Sequence, residues 1–250
     1  MADLGGAAAG PPPGVPADGG GIAPAPAAGV AADDEDVWLF GYGSLIFKHG
    51  VPFVEERDCF VEGLVRRFWQ GSPDHRGTHE APGRVVTLLT AEEIARLRPE
   101  DELHEIETRT WGVAFRVRAE DMRAEMAKLE YREKAGYDKV FVDAVFPDGS
   151  TVSALVFRAT PDNDHFLGPR CAEEMAAHIH RSVGPSGPNR EYFCKLYYAL
   201  EAMQERVGEP HDDVLDPHVR AIFAHLPPED PNDDGDGDGA ASVEDQIGDH

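Results

Sequence analysis

Three groups of residues in this chain are placed to do chemistry together. Phe40-Gly41-Tyr42-Gly43-Ser44-Leu45 ends an apolar run, and its two glycines let the backbone turn sharply and approach a ligand closely. Successive amides in such a turn converge on one concavity that suits an anion, and the Ser44 hydroxyl adds a donor. Asp74, His75, Arg76 and Arg84 gather in a polar stretch, where Arg76 and Arg84 either anchor a carboxylate or stand in structural salt bridges. Glu133 continues the spacing of Met122, Met126 and Leu129, an apolar helical stripe, and has Tyr137 close behind it. A carboxylate in line with a buried face has its pKa raised; the alternative is a frayed helix end with Glu133 paired to an arginine. An amide turn, arginines and such a carboxylate suit a small anionic substrate and acid–base chemistry with neither metal nor cofactor.

Other chemistries find less support. His75 and His79 have the spacing of a zinc pair but lie in a Gly/Pro-rich stretch, where that spacing creates no common face, so no metal site is expected. His178 and His180 fall on different sides of a helix and read as solvated. Cys59, Cys171 and Cys194 are widely spaced, with no Cys-x-x-Cys pair, and read as buried or half-buried thiols of a reducing compartment. The acidic alternation Asn232, Asp234, Asp236 lacks the closing glutamate of a calcium loop. No nucleophile elbow or phosphate loop is present.

The elements that must position these residues follow from periodicity and turn chemistry. Val37–Phe40 reads as a buried strand, Cys59–Trp69 as a strand broken or bulged at Gly63, Gln70–Arg84 as a long loop and Val85–Leu89 as a strand. Thr90-Ala-Glu-Glu93 has capping-box form and opens a short helix to about Arg98. Pro99–Thr108 reads as an acidic excursion, and Trp111–Val117 alternates as a strand. Asp121 is placed to cap the helix that carries Glu133, with Gly136 to stop it. Val140–Phe146 and Thr151–Phe157, joined by Pro147-Asp148-Gly149-Ser150, make a hairpin. Helices are expected over Arg170–Val183, Arg190–Val207 and Asp216–His225, with Tyr192, Leu196, Ala199 and Met203 facing inward on the longest. The sum is an α+β chain in which a small, strongly curved sheet or β-barrel is flanked by helices.

Residues 1–36 are Ala/Gly/Pro-rich and residues 228–250 are Gly/Asp-rich, and neither tail carries Lys or Arg; both are expected to be disordered around one domain, 37–227. The tails hold 15 of the 47 acidic residues, so the net charge of −24 becomes 32 acids against 23 bases, or −9, for the domain. Such a surface argues against nucleic acid. No apolar run approaches a membrane span, and the N-terminus lacks the pattern of a signal or transit peptide. A cytoplasmic monomer is expected.

Phe40–Leu45, Arg67-Phe-Trp-Gln-Gly-Ser72, Asp74-His-Arg-Gly-Thr78, Pro82-Gly-Arg-Val-Val-Thr-Leu88, Tyr131-Arg-Glu-Lys134 with Gly136-Tyr137, and Leu167-Gly-Pro169 resemble, in this order, the ChaC-type glutathione-specific γ-glutamylcyclotransferases. The resemblance runs from about Val37 to Met203; the tails and the stretch 90–110 depart from it. It implies a γ-glutamylcyclotransferase-like fold and cleavage of glutathione to 5-oxoproline and cysteinylglycine without a cofactor. It also implies that Tyr42, Gly43, Ser44 and Leu45 bind the γ-glutamyl α-carboxylate and amine, and that Glu133 is the catalytic carboxylate. Arg76, Arg84 and Tyr137 complete the expected substrate-binding set. The alternatives are a cyclotransferase for other γ-glutamyl amino acids or amines, and a non-catalytic regulatory module that binds γ-glutamyl groups.

Overall fold

Alternation along the strands decides the architecture. The computed structural model describes residues 36–50, 52–97, 109–122, 137–208 and 213–228. Strands β1 (Val37–Gly41), β2 (Glu55–Glu62), β5 (Arg109–Val117), β6 (Tyr137–Val145) and β7 (Thr151–Ala159) close a barrel in the order β1-β5-β2-β6-β7. All neighbours are antiparallel except β1 and β7, whose parallel pairing of Trp38 with Ala154 and Leu39 with Leu155 completes the ring. Between β2 and β5 the chain forms a separate hairpin, β3 (Leu64–Ser72) with β4 (Gly83–Thr90), followed by helix α1 (Ala91–Leu97). Helices α2 (Ala172–Arg181), α3 (Asn189–Val207) and α4 (Pro217–Ala224) pack on that hairpin, with the two-residue strands β8 (Val183–Gly184) and β9 (Gly187–Pro188) joining α2 to α3. This is the α+β barrel-with-helices expected, and no helix among the described residues is long and apolar enough to cross a membrane.

Opposed residues on paired strands share a face, and the register sorts the barrel's side chains into two sets. One set is mostly small, Cys59, Gly112, Ala114, Ala144 and Ala154, with Phe40, Val61 and Val156 among them and Trp38 opposite Ala154, which is what a narrow five-stranded lumen can hold. Gly112 is obligatory there, because a Cβ would stand 2.8 Å from the Phe40 ring and 2.4 Å from the Gly41 carbonyl oxygen. Burial pushes the Cys59 thiol up to about 12, against the hydrogen bond with the Ala114 backbone and the Arg57 charge, which lower it, and with Asp58 raising it further. The other set is large, with Leu39, Phe60, Trp111, Val113, Phe115 and Leu155 covered by Met122, Met203 and Val214.

Gly63 ends one strand and starts another: with φ at +77° it turns the chain out of the barrel, so Cys59–Trp69 is split between β2 and β3. The loop expected over Gln70–Arg84 shrinks to residues 73–82. A bulge between Arg67 and Gln70 lets β3 continue to Ser72, and Gly83 and Arg84 already belong to β4. The capping box at α1 forms with both of its bonds, Glu93 N–H to Thr90 Oγ1 (3.1 Å) and Thr90 N–H to Glu93 Oε2 (2.8 Å). Asp121 is not a cap: residues 119–122 are already helical, and the Met122 amide bonds the Arg118 carbonyl at 2.8 Å. The remainder of the helix expected to carry Glu133 lies outside the described residues, as do the excursion Pro99–Thr108 and the tails apart from Asp36 and Pro228. On α3 the buried face carries Leu200 rather than Ala199, beside Tyr192, Leu196 and Met203. Cys171 is exposed, not buried, because it precedes the first turn of α2.

Candidate active site

The end of β1 delivers its backbone to the seam between barrel and hairpin. Gly41 and Gly43 are both required by space: a Cβ on Gly41 would meet Leu45 Cβ at 2.7 Å, and one on Gly43 would meet Val86 Cγ2 at 2.9 Å and the Tyr192 hydroxyl at 3.2 Å. After Gly43 the chain makes one 3₁₀ turn, Ser44–Ile46, in which the Ile46 amide bonds the Gly43 carbonyl (3.0 Å) and the Phe47 and Lys48 amides bond that of Ser44 (3.2 and 2.7 Å). The first amides of a helical turn have no acceptor within it, so those of Gly43, Ser44 and Leu45 are the donors this turn can offer. Ser44 is exposed, and Leu45 packs against the large-residue face of the barrel.

Tyr42 points inward. Its hydroxyl donates to the Phe157 carbonyl of β7 at 2.8 Å, and its pKa is raised by burial and then by the nearby phenols of Tyr137 and Tyr192. Tyr192, from α3, is likewise raised by burial first, with the Val86 backbone as hydrogen-bond partner and Tyr137 again adding repulsion. Three phenols, from the residue after β1, from β6 and from α3, therefore converge beside the Gly43 turn, and those of Tyr42 and Tyr192 are neutral at physiological pH. Arg76 stands at the edge of this group, its guanidinium 5.8 Å from the centre of the Tyr192 ring. It bonds the Pro188 carbonyl (3.0 Å) and pairs with Glu191 Oε2 (3.1 Å), which is the structural salt bridge that the sequence left open for it.

Arg84 is placed differently. It is buried, and its Nη1 bonds the carbonyls of Phe68 (2.8 Å) and Gly168 (3.0 Å), while its backbone is clasped by Asn189, Oδ1 taking the amide (2.6 Å) and Nδ2 giving to the carbonyl (2.8 Å). No described carboxylate is paired with it. Burial lowers its pKa to about 10, and Arg170 and Arg181 push the same way against Glu174. Tyr42, Gly43, Ser44, Leu45, Tyr137 and Arg76 thus lie in one neighbourhood, whereas Arg84 fixes the far end of the hairpin.

Sequence reasoning missed three residues here. Arg66 is sealed in the interior and donates from Nε to the Tyr42 carbonyl at 2.9 Å. Thr87 Oγ1 gives to the Ala159 carbonyl (2.7 Å) and takes its amide (3.0 Å), stitching β4 to β7. Tyr192 reads as core but presents a hydroxyl to the turn. The available signal was the Arg66-Arg67 doublet, two cations in succession along an apolar strand. His178 also differs from expectation: its Nε2–H donates to the Pro82 carbonyl at 2.7 Å, and burial lowers its pKa. His75 meets Ser186 Oγ at 3.0 Å and His79 lies beside His165, so the two do not share a partner.

A sequence model of the ChaC-like proteins matches residues 37–224. A Danio rerio protein named glutathione-specific γ-glutamylcyclotransferase 1 is 40% identical over 195 residues, which cover 76% of this chain and 88% of the relative. The Homo sapiens protein of the same name is 38% identical over 200 residues, 78% of this chain and 82% of its own. Among solved structures, the selenomethionine-labelled γ-glutamyl cyclotransferase from yeast, described as specific to glutathione, superposes with a TM-score of 0.65 at 30% identity, covering 76% of this chain and 97% of that one.

Proposed function

This chain belongs to the ChaC-like family, and on that footing we propose that it is a glutathione-specific γ-glutamylcyclotransferase, cleaving glutathione to 5-oxoproline and cysteinylglycine. The observation that carries this reading is 38% and 40% identity to relatives of that name over 200 and 195 residues, beside a family match across 37–224 that includes the whole Gly41–Leu45 turn.

The reaction is an internal acyl transfer. The substrate's α-amine attacks the γ-amide carbonyl, a five-membered lactam closes, and the bond to the cysteine nitrogen breaks, so no water is consumed. Because attack is intramolecular, holding the folded conformer is the main task, and alignment is worth roughly 7–11 kcal/mol. The amides of Gly43, Ser44 and Leu45 take the α-carboxylate, with the Ser44 hydroxyl beside them. Glu133 removes the ammonium proton and returns it to the departing amine. An ordinary glutamate, pKa ~4.3, accepts a proton from an amine of pKa ~8 at a cost of about 5 kcal/mol, and desolvation of the carboxylate offsets most of that. The phenols of Tyr137 and Tyr192, beside the turn, are donors suited to the developing oxyanion. Arg76, at the edge of the phenols, is the candidate partner for the carboxylate at the glycine end of the tripeptide. We place the enzyme as a monomer in the cytosol, whose reducing conditions suit the three free cysteines.

Purified protein incubated with glutathione should release 5-oxoproline and cysteinylglycine in equal amounts. Binding of glutathione without product would make the chain a binding module. Turnover confined to other γ-glutamyl compounds would keep the chemistry and change the substrate.

A further inference from the structure

The guanidinium of Arg66 has no exposed surface, and each of its nitrogens is engaged. Nε donates to the Tyr42 carbonyl (2.9 Å), Nη1 to Asp216 Oδ2 (2.7 Å) and Nη2 to the Trp111 carbonyl. The second oxygen of Asp216 takes the Val219 amide at 2.9 Å and so caps α4. Arg66 is sealed from solvent and turned onto these three acceptors, so any part it plays in binding is exerted through the groups it holds.

One of those groups matters for the turn. A peptide unit is planar and trans, so the carbonyl of Tyr42 and the amide of Gly43 point in opposite directions from a single rigid plate. Fixing the Tyr42 oxygen on Arg66 aims the Gly43 N–H away from the interior. That plate runs from the Tyr42 Cα to the Gly43 Cα, and on its glycine side the backbone rotation is the least restrained of any residue's. The same feature that opens the turn leaves its first donor free to rotate unless something holds it.

We propose that Arg66, itself held by Asp216, is a positioning residue that orients the Gly43 amide toward the α-carboxylate of the γ-glutamyl substrate. The proposal rests on the reading that the turn amides bind this carboxylate. It gives the buried ion pair a role in recognition, beyond tying β3 to α4.

The test compares two ligands on three proteins. Glutathione and its analogue lacking the α-carboxylate, 4-aminobutanoyl-cysteinylglycine, are measured as substrate (KM) and competitive inhibitor (Ki). The proteins are wild type, Arg66→Lys and Asp216→Asn. Wild type should prefer glutathione by at least tenfold. Arg66→Lys keeps the charge and the pairing with Asp216 but moves the donor off the Tyr42 carbonyl. It should raise KM for glutathione about tenfold while changing the analogue's Ki less than twofold. Asp216→Asn keeps the cap and a hydrogen bond to Arg66 without the charge; a smaller loss, twofold to fivefold, should again be confined to glutathione. This second variant decides the matter if Arg66→Lys does not fold. Equal losses for both ligands would mean general loosening and overturn the proposal, as would no loss for either. A wild type that fails to distinguish the ligands would remove the carboxylate from the turn, and the role of Arg66 with it.

Discussion

The barrel lumen and the seam between the barrel and the β3–β4 hairpin share one apolar core but differ in what is added to it. The lumen holds only apolar groups around Phe40, and its cohesion is area removed from water. The seam adds single polar ties, Arg66 to Tyr42 and Asp216 and Thr87 to both backbone groups of Ala159, with the Tyr42 hydroxyl bonding Phe157 beside them. Arg158 adds a two-pronged bond to Glu93 (2.8 and 3.2 Å). Packing tolerates small shifts, whereas hydrogen bonds fix direction. The turn that presents amides to a substrate lies at the seam, where direction is what counts.

Substitutions can break or sharpen this contrast. The largest expected effect is on chemistry. Glu133→Gln should lower kcat by about 10²–10⁴-fold with the cooperative unfolding transition intact, as measured by steady-state assay and thermal melt. A variant of reduced stability and near-normal turnover would make Glu133 a structural partner. Next comes the seam. Asp216→Ala leaves Arg66 charged and buried without its partner and should cost about 3–5 kcal/mol in urea unfolding, with specific activity falling as well.

The lumen should answer differently. Cys59→Ala should cost about 1 kcal/mol at pH 8 and leave the specific activity of folded protein unchanged. Its stability should also depend less on pH. The wild-type thiol is held at about 12 in the fold against 9.0 when unfolded, so the unfolded chain has released the proton between these values while the native chain has not. Stability present below pH 9 is thus lost as pH climbs toward 12, by about 2 kcal/mol at pH 10.5. The variant lacks that loss, so urea midpoints should rank the two proteins in reverse order at pH 8 and pH 10.5. The smallest effect belongs to the tails. A chain cut to residues 36–228 should keep its melting temperature within about a degree and its kcat, because the removed composition cannot pack. A large loss of activity would show that a tail reaches the site.

What was legible in the sequence divides along the same line. The alternation on β5, the hairpin of β6 and β7, the capping box at Thr90 and the break at Gly63 each follow from neighbours in the chain, where periodicity and turn chemistry act. The seam does not. Arg66 and Asp216 are 150 residues apart, and no pattern in either segment announces the pair. Tyr192 satisfies the inward stripe of α3 and so reads as core, although its hydroxyl meets the turn. Arg76 and Arg84 look alike in one polar stretch. The bulge that carries β3 on to Ser72 draws Arg84 into a strand and spends it on carbonyls, while Arg76 stays beside Tyr192.

The span between Arg66 and Asp216 also sets a clock. A ribosome adding ~5–20 residues per second makes Asp216 about 8–30 s after Arg66. Through that interval the Tyr42–Gly43 plate, made among the first fifty residues, has no completed anchor. A growing or prematurely ended chain can carry the whole glycine turn and still be unable to hold a substrate. If Arg66 positions the turn as proposed, substrate binding begins only when synthesis of the domain is all but finished.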